Sequence, residues 1–160
     1  MLFETAIVRL IRAGNPKDAA LKLRAKISSG YGGVRARNLL AVCKAEMGDL
    51  KGAASTLSDI LDSKPRDIRS LNNFGNLSLK RSDPKQALEF YKKALAVDVW
   101  ALEPRYNICF AYLELGLAEQ ALSGLREYLI IKRILFWSKL LFIVSLLGLI
   151  AMAAYLKFAG

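Results

Sequence analysis

Histidine is missing from all 160 residues, which removes imidazole acid–base chemistry and the commonest metal ligand. Cysteine is scarce: Cys43 and Cys109 stand far apart and neither belongs to a CxxC pair, so both read as buried packing residues, not as a disulfide or metal site. Alternating β-branched and aromatic runs are absent, so nothing encodes strands and the chain reads as all-α. Acidic residues are in deficit, 14 Asp and Glu against 24 Lys and Arg, a formal charge of +10. The basic residues are spread among acidic ones with no nucleic-acid module beside them, so nucleic acid is not expected as a partner. No Gly-rich phosphate loop and no paired nucleophile and base occur. Asp59 and Asp62 share a stretch of helix but read as a solvated surface, and neither catalysis nor a cofactor is expected. The start, MLFETAIVRL, lacks a basic region before an apolar core and a small-residue cleavage site, so a secretory signal is not expected.

What the chain does have is a period. Ala19, Ala53, Ala87 and Ala121 recur every 34 residues, the spacing of a helical repeat whose two helices cross where only a small side chain fits. The segments before these alanines align as well: AGNPKDA, MGDLKGA, RSDPKQA and LGLAEQA. Gly14, Gly48 and Gly116 share one position, with Ser82 in the third unit, as residues that close a helix in the left-handed conformation. Pro16 and Pro84 fit the first position of a second helix. Asn15, Asp49 and Asp83 precede it as caps. Four units follow, approximately 1–33, 34–67, 68–101 and 102–135, in a solenoid of residues 1–131. The first unit departs most, with Lys26 at a small-residue position and a glycine-rich exit (Gly30, Gly32, Gly33) that reads as a hinge. The fourth places Tyr128 at that same small position.

A second feature lies at the far end. Leu140 to Leu156 reads LLFIVSLLGLIAMAAYL, 17 uncharged residues, and with the Ile134–Trp137 segment the apolar stretch is long enough for a transmembrane helix over 134–158. Lys132, Arg133, Trp137, Lys139, Tyr155 and Lys157 are the expected membrane-interface residues, aromatics and snorkelling cations at the two surfaces. More basic residues precede the span than follow it, so the repeats are expected on the cytoplasmic side of a bacterial inner membrane or an organelle membrane. Two forms of the junction are open: one continuous helix, or a break near Lys132 and Arg133. Small residues Ser145, Gly148, Ala151 and Ala154 offer one light side for packing against another transmembrane helix.

The third unit, IRSLNNFGNLSLKRSDPKQALEFYKKALAVD, resembles the tetratricopeptide repeat (TPR) family. Leu71, Phe74, Gly75, Ala87, Tyr91 and Ala94 stand where that family places its large and small packing residues, and Pro65 at its closing proline. The resemblance implies a helix-turn-helix solenoid that binds a protein or peptide partner in the groove lined by the first helices of each unit. The family's groove positions fall on Arg35, Asn38, Arg69, Asn72, Asn73, Asn76, Tyr106 and Asn107. Asparagine amides both donate and accept, matching the main chain of an extended peptide; for Asn73 and Asn107 a brace between adjacent repeats is the competing use. The lysines and arginines that grip chaperone tails are missing, so that ligand is not expected. The implied role is a membrane-anchored scaffold or adaptor, with an accessory subunit of a secretion, pilus or flagellar assembly as the alternative.

Overall fold

The computed structural model describes residues 2–30 and 32–159, with side chains described for 3–30 and 32–155. Among these residues the chain forms eight helices and no strand: α1 (Leu2–Arg12), α2 (Pro16–Ser28), α3 (Gly33–Glu46), α4 (Leu50–Ser63), α5 (Ile68–Lys80), α6 (Pro84–Val97), α7 (Leu102–Glu114) and α8 (Ala118–Ala159). Odd-numbered helices are the first of each pair and even-numbered ones the second. Each helix packs on its neighbours in sequence, and α1, α3, α5 and α7 also pack each on the next, whereas the second helices do not touch one another. That pattern makes a TPR-like solenoid, in which each unit needs only its neighbours to bury its apolar face.

The four turns within the units share one conformation. Gly14, Gly48, Ser82 and Gly116 have φ of +77°, +83°, +57° and +73°, and Ser82 is the only non-glycine with positive φ among the described residues. The chain reverses there and the second helix begins at once. Asp49 and Asp83 cap α4 and α6 by accepting from Gly52 N and Gln86 N. Asn15, expected to do the same for α2, makes no side-chain cap bond; Pro16 alone sets that start. Just past each turn, Ala19, Ala53, Ala87 and Ala121 are buried to 4% exposure or less, where the two helices meet.

The core is a row of small clusters. Ile7, Leu23 and Leu40 surround Ala19 in the first, Leu57 and Leu77 flank Ala53 in the second, and Tyr91 and Ala111 close on Ala87 in the third. Phe74 and Phe90 stack at 4.7 Å between ring centroids within the third unit. At the atypical positions, Lys26 lays its ammonium 4.1 Å from the Phe3 ring centroid, and Tyr128 packs on Tyr106 at 5.1 Å. Cys43 and Cys109 are buried free thiols, as their positions suggested.

The last helix differs from the others. α8 runs unbroken for 42 residues, about 60 Å at 1.5 Å per residue, and passes through Lys132 and Arg133 without interruption. Its first third packs antiparallel on α7, with Arg105 opposite Glu127, Tyr106 against Tyr128 and Cys109 beside Gly124. Beyond, it leaves the solenoid: its most apolar window has mean hydropathy 2.3 and no part buried. The molecule is thus an all-α solenoid followed by a long apolar C-terminal helix.

Candidate functional site

The first helices carry a row of asparagines, and their amides bind one another across the repeats. Asn73 Nδ2 donates to Asn38 Oδ1 at 2.9 Å, and one repeat later Asn107 Nδ2 donates to Asn72 Oδ1 at 3.0 Å. Asn107 also donates to Asn76 Oδ1 at 2.9 Å, which accepts from Tyr91 Oη at 2.7 Å as well. Asn38, 3% exposed, donates onward to Asp67 Oδ1 and Ser70 Oγ at 3.1 and 2.9 Å. A buried amide needs such partners. The bracing role expected of Asn73 and Asn107 therefore extends to Asn38, Asn72 and Asn76, which the sequence suggested as contacts for a ligand. Of the five, Asn72 and Asn76 keep their amide NH2 outside this network, and of these two Asn72 reaches the open groove in front of the row.

Asp67 anchors the lower end of this network. Its Oδ1 accepts from Ser70 N at 2.8 Å and Ser70 Oγ at 2.7 Å, capping α5. Burial disfavours its charge, but the hydrogen bonds from Ser70 and Asn38, helped by the Arg69 charge, outweigh it and hold the carboxyl below its ordinary value. Neither Asp67 nor Ser70 was singled out in the sequence. The signal was present, since Asp three residues before Ser at a helix start is a capping pattern.

In front of these amides is an open groove of about 620 Å3, lined by the starts of α1, α3, α5 and α7. Arg35, Asn38, Arg69, Asn72 and Asn73 reach its wall, whereas Asn76, Tyr106 and Asn107 do not. Arg35 is tied to Glu4 by a 2.9 Å ion pair. Arg66 and Arg69 are exposed on the same wall and belong to no ion pair among the described residues; Arg66 was not anticipated, since it lies in the turn before α5. Asp98 and Glu103 complete the far side. The surface thus offers two unpaired guanidiniums and an amide NH2 over a rigid floor, which suits carboxylates and peptide carbonyls.

The suggested membrane-interface residues all lie on α8. Lys132, Arg133, Trp137, Lys139 and Tyr155 are exposed, Trp137 and Tyr155 to 59% and 71%, and they are separated by 18 residues, about 27 Å along the axis. The side chain of Lys157 lies outside the described residues. Tyr106 sits on a different surface, the outer face of the last unit. There Tyr106, Phe110, Leu113 and Leu117 form one exposed stripe on α7 and the turn after it, beside exposed Leu122, Leu129 and Ile130 of α8.

Among the described residues no group of three or more Cys, Asp or Glu is placed to hold a metal. Burial raises the Cys43 thiol to about 11 and also pushes up Cys109, so neither is a ready nucleophile.

No protein-family model and no curated protein matches the sequence. Solved structures do. A crystal structure of MamA superposes with TM-score 0.63 at 16% identity, over 82% of this chain and 77% of that one. The structure described as "MamA RS-1 ArsTM double mutant" does so with TM-score 0.60 at 19% identity, over 81% and 73%. MamA is a TPR-like protein, and at this identity the likeness establishes the fold: this chain is a TPR-like solenoid.

Proposed function

We propose that the protein is a membrane-anchored TPR-like scaffold: α8 spans the bilayer, the repeats face the cytoplasm, and the groove at the starts of the first helices binds a protein or peptide partner. The reading rests most on one observation, the groove that holds Arg66 and Arg69 unpaired in front of an internally braced asparagine floor. Support for the anchor comes from the exposed apolar length of α8 and from basic residues at its entry. A binding role fits better than catalysis, because the buried polar groups are tied to one another and Asp59 and Asp62 are exposed on α4. Substituting Arg66→Gln with Arg69→Gln removes both guanidiniums from the groove and puts no carboxylate beside Asp67, whose charge Arg69 supports. Full-length protein carrying both changes is expected to lose its co-purifying partner in mild detergent while staying in the carbonate-resistant membrane fraction. Unchanged recovery of the partner would remove the groove from the proposal.

The alternative, an accessory subunit of a membrane assembly held through its anchor, is favoured by a separate observation, the exposed apolar stripe Tyr106, Phe110, Leu113 and Leu117 on the last unit. Replacing residues 134–158 by an unrelated span is expected to disperse such an assembly on a native gel. An assembly that survives the exchange would count against this second role.

A further inference from the structure

We propose that the turn between α6 and α7, Asp98 to Ala101, rests in the lipid headgroup layer and gives the solenoid a second attachment to the bilayer, with Trp100 as the side chain that enters it. The proposal rests on the reading of α8 as the anchor.

Topology brings this turn to the membrane side. Because α7 is antiparallel to the start of α8, its first residues lie beside the part of α8 that leads into the apolar segment, and the opposite turn at Gly116 lies away from it. Arg105 fixes the height. Its Nη1 donates to Glu127 Oε2 at 3.0 Å while its Nη2 donates to the Val99 carbonyl at 2.6 Å, so one largely buried guanidinium ties the turn to α8 at Glu127. From there Lys132 and Arg133 are about 8–9 Å along the helix axis and Trp137 about 15 Å. With a headgroup layer of roughly 5–7 Å outside the hydrocarbon, the turn stands next to its outer boundary.

The chemistry of the turn matches that place. Val99 and Trp100 are 57% and 49% exposed, although the turn is ordered by Trp100 N donating to Asp98 Oδ1 at 2.8 Å. A tryptophan left in water loses the benefit of its apolar ring, whereas the headgroup region accommodates both the ring and its N–H. One repeat earlier the equivalent turn presents exposed Lys64, outside the groove, a cation for anionic headgroups on the same edge. Two points of contact, the anchor and this turn, would fix the tilt of the repeats over the surface.

The chain has two tryptophans, Trp100 and Trp137, so single-tryptophan variants separate the two attachments. Full-length Trp137→Phe, reporting on Trp100, and full-length Trp100→Phe, reporting on Trp137, are reconstituted into vesicles of phosphatidylcholine and phosphatidylglycerol carrying lipids brominated near the headgroup. The expected result is that both tryptophans lose emission to the bromines and that Trp100 shifts to the blue and is shielded from aqueous iodide. Trp137 quenched by bromines with Trp100 quenched only by iodide would overturn the second attachment and leave the anchor standing. Trp100 shielded from both quenchers would overturn it in favour of a protein contact. If neither tryptophan responds to bromines, the anchor reading fails and takes this proposal with it.

Discussion

Ser82 carries a conformational cost that its counterparts avoid. It occupies the left-handed position that glycine takes in the other three turns, at a cost of about 1–2 kcal/mol for an L-residue. Part of that is recovered in the unfolded state, where glycine has more freedom to lose. Ser82→Gly is therefore expected to stabilise the repeats by up to about 1 kcal/mol, read as a higher midpoint of guanidinium unfolding in detergent; a lower midpoint would show that the serine side chain contributes more than its backbone costs. Asp67 makes the opposite kind of contribution. Its folded pKa lies below the ordinary value, so the stability it adds is present above the unfolded pKa near 3.9 and is lost as pH falls through the folded one. Asp67→Ala is expected to cost about 1 kcal/mol at neutral pH through the lost cap of α5. It should also flatten the fall in thermal midpoint below about pH 4. Equal slopes for the variant and the parent would assign the acid sensitivity to other carboxylates.

At the level of helices, α5 and α6 depend on a missing methyl group. A Cβ on Gly75 would overlap the ring of Tyr91, which is fully buried and donates to Asn76. Gly75→Ala is expected to cost about 1–3 kcal/mol by forcing the ring away, whereas Tyr91→Phe keeps the packing and loses only about 1 kcal/mol with the hydrogen bond. Comparable thermal midpoints for the two variants would mean that α5 and α6 separate freely. Gly75, Tyr91 and the four alanines were legible in the sequence because helix pairs meet within one unit, and a period of 34 residues reports such local contacts directly. The asparagines were half legible. Asn38 with Asn73, and Asn72 with Asn107, share an offset of 35 residues, yet nothing in their identity says whether an amide faces a ligand or the next helix. That depends on how closely α3, α5 and α7 approach one another. Arg66 was hidden for a related reason, since it belongs to a turn and joins the groove only because the solenoid brings that turn beside α5. The Asn15 cap failed in a different way: its side chain makes no cap bond, although Asp83 caps α6 ahead of the equivalent Pro84.

For the whole molecule the consequence of α8 is mechanical. With α8 as the proposed anchor, a helix that begins inside the last unit and continues past Tyr155 without a break would transmit its tilt to the solenoid, setting together the side of the membrane on which the repeats stand and their angle to it. On the proposed anchor, the excess of basic residues at the entry of α8 predicts repeats on the cytoplasmic side, and the chain's own cysteines leave the measurement free of background. Cys43 and Cys109 are 0% and 6% exposed. With the Cys43 thiol raised to about 11, its thiolate fraction near pH 7 is on the order of one in ten thousand. An exposed reporter, Ser55→Cys on the outer surface of α4, is therefore expected to react with a membrane-impermeant maleimide in inverted membrane vesicles and to stay unlabelled in right-side-out ones. The opposite pattern would place the repeats outside the cytoplasm, with the positive residues of α8 held there by something stronger than the charge rule. Labelling in both preparations alike would mean that α8 does not hold the chain in one orientation across a bilayer.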